Sequence, residues 1–257
     1  MLKPRLIPCL DVRDGRVVKG VKFAGLRDVG DPAQLARAYA KGGADELTLL
    51  DISATPAGRA NGVDVVRAVR AVLDIPLTVG GGVRELADAE RLLAAGADKV
   101  AVNSAAVGRP ELLGELAGQF GAQCTVLALD AARRSGGAGF EVVTHSGSER
   151  TGIDALAWAR EAVERGAGEI LATSFDRDGT GSGYDLELLR ELDSAVGVPV
   201  IASGGASSAE DLRDALSAGA SAVLVASLLH DGVTTCQKIK RDLLELGVAL
   251  RGAEVPA

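Results

Sequence analysis

Short apolar runs recur along the chain, separated by longer segments whose apolar positions follow a helical period. The runs Arg5–Val12, Glu46–Ile52, Pro76–Val79, Lys99–Asn103, Cys124–Asp130, Glu169–Ser174, Pro199–Ser203 and Ala222–Ser227 read as strands buried on both faces. Between them Pro32–Gly42, Val63–Leu73, Leu86–Ala95, Pro110–Phe120, Ala155–Arg165, Leu186–Val196 and Ser208–Ala218 read as amphipathic helices. Asp31-Pro32 supplies an N-cap followed by proline at the first helical position, and Gly96, Gly121, Gly166 and Gly219 each follow a helical run as C-terminal caps. Strands and helices in strict alternation predict an α/β fold, a (β/α)8 TIM barrel occupying residues 1–257 as one domain. An open doubly wound sheet is the alternative, but it would leave eight parallel strands uncurled, and nothing marks a second domain.

The pattern also repeats on a larger scale. Pro76–Ala106 aligns without gaps on Pro199–Leu229, an offset of 123 residues, with identities that include Gly81/Gly204, Gly82/Gly205, Asp88/Asp211 and Ser104/Ser227. The same offset pairs Glu46 with Glu169, and Leu10-Asp11 echoes Leu129-Asp130 at a slightly smaller one. The chain therefore reads as two half-barrels of four strands each, every half opening on an apolar strand that ends in Asp.

Composition narrows the partners. The formal net charge is −7 and the basic residues are scattered, so no nucleic-acid footprint is expected. Aromatics make up only 3% of the residues, so Val, Leu, Ile and Ala must build the core. Cys9, Cys124 and Cys236 are far apart and odd in number, which supports neither a disulfide framework nor a zinc site and suits a reducing, cytoplasmic setting. Cys9 and Cys124 read as small core residues, Trp158 as helix packing, and His145 and His230 as ordinary surface or loop histidines with no metal-like spacing. No run is long enough to cross a bilayer and no signal peptide is evident at the start, so no membrane partner is expected; no metal or cofactor is expected either.

In such a barrel the C-terminal strand ends form the reactive face. Asp11 and Asp130 end strands on opposite sides of the mouth, where two carboxylates can serve as general acid and general base once burial or mutual repulsion raises one of them. Each could instead merely cap the loop that follows it, a reading the symmetric pairing weakens. Gly80-Gly81-Gly82 with Asn103-Ser104 in one half, and Ser203-Gly204-Gly205 with Ala226-Ser227 in the other, are candidate phosphate cradles; tight turns alone are the alternative. Two such sites half a barrel apart imply a long substrate with a phosphate at each end. Thr173 closes another strand, and Asp176–Asp185, carrying Asp178 and Gly179, reads as a substrate-contacting loop rather than a calcium loop. Val17–Gly30, with Lys19, Lys22 and Arg27, reads as a long polar loop able to act as a lid, and Phe140–Thr151 as a hairpin insertion. At the other end, Arg5, Glu46, Lys99 and Glu169 begin four strands and could form a salt-bridged ring or be plain surface charge.

Taken together, Cys9-Leu10-Asp11-Val12, Gly15–Gly20, Gly80-Gly81-Gly82, Asn103-Ser104, Asp176–Thr180 and Ser203-Gly204-Gly205 resemble the cyclase-subunit family of imidazole glycerol phosphate synthase over essentially the whole chain. The resemblance implies a lyase of histidine biosynthesis. It would convert N'-[(5-phosphoribulosyl)formimino]-AICAR ribonucleotide and ammonia into imidazole glycerol phosphate and AICAR ribonucleotide. By position it implies Asp11 and Asp130 as the acid/base pair, with Gly82, Asn103 and Ser104 at one phosphate. Asp178, Gly179, Gly205, Ala226 and Ser227 would hold the other, and Lys19 would lie on the loop over the site. It further implies a glutaminase subunit docked on the N-terminal face, with Arg5, Glu46, Lys99 and Glu169 as the gate through which its ammonia enters. The sister isomerase, which shares the two-half barrel, is the nearest competitor; the Cys9–Val12 start and the complete charged quartet stand against it.

Overall fold

A computed structural model describes residues 3–21, 24–52, 62–248 and 250–252. The first half runs β1 (Arg5–Arg13), β2 (Arg16–Val21), β3 (Ala24–Gly30), α1 (Pro32–Lys41), β4 (Leu47–Asp51), α2 (Val63–Arg70), β5 (Leu77–Gly80), α3 (Leu86–Ala94), β6 (Lys99–Val102) and the short α4 (Ser104–Gly108). After α5 (Glu111–Phe120) the second half repeats the plan. It runs β7 (Thr125–Arg133), β8 (Phe140–Thr144), β9 (Glu149–Asp154), α6 (Ala155–Glu164), β10 (Glu169–Ser174), α7 (Leu186–Ala195), β11 (Val200–Ser203), α8 (Ala209–Ser217), β12 (Ala222–Val225) and the short α9 (Ser227–His230), then α10 (Cys236–Glu245). Strands β10-β11-β12-β1-β4-β5-β6-β7 pair in parallel, and β7 pairs with β10 to close the barrel. The expected (β/α)8 barrel is the observed fold.

Local chemistry explains the element boundaries. The Asp31 carboxylate accepts from the Gln34 amide at the start of α1, and Ser208 with Asp211 forms a capping box on α8 that matches Glu85 with Asp88 on α3. Gly96, Gly166 and Gly219 follow their helices at φ of 110°, 118° and 106°, a region that favours glycine.

Two interiors share the strands between them. Outward-facing Leu, Val and Ala pack under the helices as the main core. Inward-facing Ile7, Cys9, Ala101, Val126, Leu171, Ile201, Ala222 and Leu224 fill the barrel itself. Because side chains alternate along a strand, one parity of β1 reads Arg5, Ile7, Cys9, Asp11 from bottom to mouth. The same parity carries Lys99 to Asn103 along and just past β6, and Glu169, Leu171 and Thr173 along β10. Ends and interior of the barrel are thus written into single strands.

The structure corrects several sequence expectations. Val17–Gly30 is largely an antiparallel hairpin, β2 with β3, joined to β1 through Val12 and Val17, rather than an open loop; Lys22 lies outside the described residues. Its pairing register shifts between Val17 and Val18 and again between Lys19 and Val21, which blurs the strand alternation that sequence reading relies on. The insertion after β7 is the matching hairpin of the second half, β8 with β9. Neither Asp ends its strand: β1 continues to Arg13 and β7 to Arg133, each extended by pairing with its hairpin. Cys124 is half-buried in a single 3-10 turn before β7 rather than in the strand.

Candidate active site

A cavity of about 1030 Å³ opens at the C-terminal end of the barrel, and every acid/base and phosphate-site residue singled out from the sequence lines it. That volume suits a large small-molecule ligand. Asp11 on β1 and Asp130 on β7 stand four strands apart in either direction around the closed sheet, so they face one another across the mouth.

Their surroundings differ. Burial raises the Asp11 carboxyl, the nearby Lys19 ammonium opposes that, and Asp178 adds to it. The Cys9 thiol, two residues back on the same face, donates to Asp11 Oδ1 at 3.4 Å. Burial also raises Asp130, to about 7, with Asp178 contributing and hydrogen bonds from Asn103 and Thr173 working against the rise. A carboxyl near 7 exchanges protons readily at neutral pH. The same shift has a consequence for stability. A carboxyl raised on folding contributes stability below its unfolded value near 3.8 and loses it as pH climbs through about 7. Asp130→Asn, which cannot ionise, should therefore gain in melting temperature relative to the native chain between pH 5 and pH 8. Thermal unfolding across that window is the check, and a flat difference would contradict the assignment.

The two cradles are related by the repeat down to backbone angles. Gly81 and Gly204 have φ of 88° and 90°, and Asn103 and Ala226 take nearly the same unusual conformation before α4 and α9. Part of the glycine signal is packing. A Cβ on Gly81 would meet the Asp51 backbone oxygen at 2.1 Å, and one on Gly205 the Gly183 carbonyl at 2.3 Å. Side chains in the first cradle are engaged already: Ser104 Oγ accepts from the His145 amide at 3.0 Å, and Asn103 Nδ2 donates to Asp130 and to the Val143 carbonyl.

Sequence reasoning missed some residues at the mouth. His145 and Ser146, at the β8–β9 turn, line the cavity with φ of 52° and 54°, a left-handed pair no local motif announces. Arg27 on β3 pairs with Asp231 after α9, tying the Lys19 hairpin across to the last βα loop. His230 is no surface histidine. Its ring stacks on Tyr39, with Nδ1 2.7 Å from the Tyr39 hydroxyl and Nε2 3.0 Å from the Cys9 carbonyl. Burial, with Lys19 nearby, pushes it down to about 4, so the neutral ring donates from Nε2 to Cys9 and accepts the tyrosine proton at Nδ1. Trp158 packs in the core as expected.

At the opposite end the four charges close a ring. Arg5 bonds Glu46 at 2.9 Å and Glu169 at 2.7 Å; Lys99 bonds Glu46 at 3.0 Å and Glu169 at 2.7 Å. Arg5, Glu46 and Glu169 are buried, so this is not loose surface charge. The ring and the Asp11–Asp130 mouth lie at the two ends of the same inward-facing rows, about 20 Å apart at ~3.3 Å per residue over six residues.

Comparison with known proteins places this geometry. Residues 5–235 match the family model described as histidine biosynthesis protein. The chain is 55% identical to the imidazole glycerol phosphate synthase subunit HisF of Synechococcus sp. (strain CC9902), over 98% of this chain and 100% of that one. It is 56% identical to the subunit of the same name from Leifsonia xyli subsp. xyli, over 96% and 98% of the two chains. The subunit from Clavibacter michiganensis subsp. michiganensis is likewise 56% identical, over 97% and 95%. Among the described residues no helix is long and apolar enough to cross a membrane. A half-barrel repeat with a symmetric pair of mouth aspartates, matched over its length by these relatives, places the chain in the histidine biosynthesis protein family, among the HisF (cyclase) subunits of imidazole glycerol phosphate synthase.

Proposed function

We propose that this chain closes the imidazole ring of imidazole glycerol phosphate from N'-[(5-phosphoribulosyl)formimino]-AICAR ribonucleotide and ammonia, with Asp11 and Asp130 moving the protons. The observation that carries the reading is the facing pair of buried carboxylates between two repeat-related glycine cradles. A substrate with a phosphate at each end would place one phosphate in each cradle of the shared cavity and its reacting centre between the aspartates. Ring closure adds ammonia to the ribulosyl carbonyl with loss of water, then joins that nitrogen to the formimino carbon and expels the aminoimidazole. The incoming nitrogen must lose protons and the leaving groups must gain them, so one acid and one base are needed together. Asp130, at about 7, is the group able to do either at neutral pH. Lys19, on the hairpin tied down through Arg27 and Asp231, would cover the substrate and exclude water.

The ammonia would come from a glutaminase subunit docked over the Arg5–Glu46–Lys99–Glu169 ring. Small inward side chains such as Cys9, Ala101 and Ala222 lie between that ring and the mouth. Lys99, with Arg5, bridges the two glutamates, and opening the ring requires breaking its contacts. Lys99→Ala should lower glutamine-dependent turnover in the assembled enzyme by about tenfold or more while leaving turnover with added ammonium within about twofold. Equal losses in both assays would argue against a gate.

The direct test incubates the purified chain with the bis-phosphate substrate and an ammonium salt and follows absorbance for release of AICAR ribonucleotide. Release supports the reading. Isomerisation of the preceding phosphoribosyl compound without release would instead indicate the sister activity.

A further inference from the structure

The two aspartates are related by the repeat, but their neighbours are not. At the 123-residue offset Asn103 corresponds to Ala226, and Thr173 to Leu50. The pairing agrees: Thr173 lies beside Asp130 in the β10–β7 ladder, and Leu50 beside Asp11 in the β1–β4 ladder. At other strand ends Gly81/Gly204, Gly82/Gly205 and Ser104/Ser227 are kept, while Gly80/Ser203 and Asp51/Ser174 also differ. Two of the departures, Asn103 and Thr173, lie at the ends of the two strands that flank Asp130.

What those two residues do is visible in the geometry. Asn103 Nδ2 donates to Asp130 Oδ2 at 3.0 Å and to the Val143 carbonyl at 3.2 Å. A carbonyl can only accept, so Val143 fixes the amide with its nitrogen inward, and Asn103 Oδ1 is left buried without a partner. A flip that would let Oδ1 accept a proton from a neutral Asp130 would set two carbonyl oxygens against each other. The locked amide therefore favours the ionised carboxylate, and its unpaired oxygen is the cost of that orientation. From the other side Thr173, beside Asp130 in the β10–β7 ladder, offers its hydroxyl as a second donor that favours the carboxylate. On the Asp11 side Leu50 and Ala226 offer no donor; Asp11 has the Cys9 thiol and the charge of Lys19 instead.

We propose that Asn103 and Thr173 are positioning residues for Asp130, a departure from the half-barrel repeat that gives two equivalent aspartates different duties. The two donors offset part of what burial and Asp178 impose on Asp130, so that it can take a proton near neutral pH, whereas Asp11 depends on the Cys9 thiol and the charge of Lys19 instead. The inference rests on the cyclase reading above and deepens it. It also moves the side chains of Asn103 and Thr173 from phosphate or substrate contact to the acid/base machinery, while the backbone near Asn103 stays in the cradle.

The charged groups around Asp130 are Asp178 and Asp11, with Lys19 beside Asp11; Asn103 on the β6 side, Thr173 on β10 and Val143 on β8 complete the shell. Both carboxylates oppose ionisation of Asp130, and only the two donors favour it directly, so losing either should raise its titration point.

The test compares the native chain with Asn103→Ala, Thr173→Val and Thr173→Ser. Two readouts are used: the pH dependence of kcat with saturating ammonium, and carboxyl NMR of aspartate-labelled protein, which needs no turnover. Asn103→Ala and Thr173→Val should each move the Asp130 titration and the matching limb of the profile up by about half to one pH unit. Thr173→Ser, which keeps the hydroxyl, should leave both in place. Affinity for imidazole glycerol phosphate should stay within about twofold in all three. An unmoved titration with product bound tenfold or more weaker would overturn the proposal and return both side chains to ligand contact. So would a shift in Thr173→Ser as large as in Thr173→Val. Failure of the native chain to turn over would sink the cyclase reading, and the NMR titration would still decide this inference.

Discussion

Asp11→Asn should cut ammonia-dependent turnover by about 10²-fold or more, while the protein stays folded and keeps its affinity for imidazole glycerol phosphate. The substitution keeps the shape of the side chain and an oxygen to accept from the Cys9 thiol, which lies 3.4 Å from Oδ1. It removes only the capacity to hold and release a proton. Because burial already raises the Asp11 carboxyl, replacing it by a neutral amide relieves a desolvation cost and should not weaken the fold. A pure binding role would appear instead as weaker product affinity with kcat preserved, and near-normal turnover would sink the acid/base assignment. Steady-state kinetics with ammonium, alongside product titration and a melting curve, separates these outcomes.

The barrel and the aspartate pair were legible because they rest on local regularities. Period-two alternation within β1 places Arg5, Ile7, Cys9 and Asp11 on one face, and the gapless repeat carries the same logic to Asp130. Glycines after the helices mark their ends by backbone geometry alone. What was not legible depends on contacts between distant parts of the chain. His230 reads as an ordinary histidine until α9 delivers it to the Cys9 carbonyl and the Tyr39 ring, far away in sequence. The β2–β3 hairpin hides behind two register shifts and a glycine-rich composition that mimics a loop. At Gly81 and Gly205 the glycine signal is ambiguous, since the close approach of Asp51 and Gly183 backbone would demand glycine there with or without a ligand. The repeat was visible from sequence, whereas the meaning of its exceptions, Asn103 and Thr173, required the hydrogen bonds to Asp130.

The second large effect lies at the other end of the barrel. Arg5→Met should destabilise the chain at neutral pH by about 3–5 kcal/mol, well beyond a surface ion pair, because it leaves two buried glutamates with Lys99 as their remaining partner in the ring. The pH dependence should also change sign. In the native chain burial pushes Glu46 up, but Arg5 and Lys99 outweigh that and hold its carboxyl below the usual glutamate value. A lowered carboxyl contributes stability above its unfolded value, near pH ~4.3, and loses it as pH falls through the folded one. Without Arg5, Glu46 and Glu169 face each other across a buried ring with too little positive charge, and one of them should titrate above its unfolded value. That contribution is present at low pH and fades as pH rises. The deficit of Arg5→Met against the native chain should thus be largest at pH 7 and shrink towards pH 4, as denaturant unfolding at a series of pH values would show. A deficit that is constant with pH would mean that Arg5 acts through the packing of its stem rather than its charge. The distinction bears on function, because a ring held closed by charge can be opened by a partner that supplies competing charge, whereas a packed plug cannot.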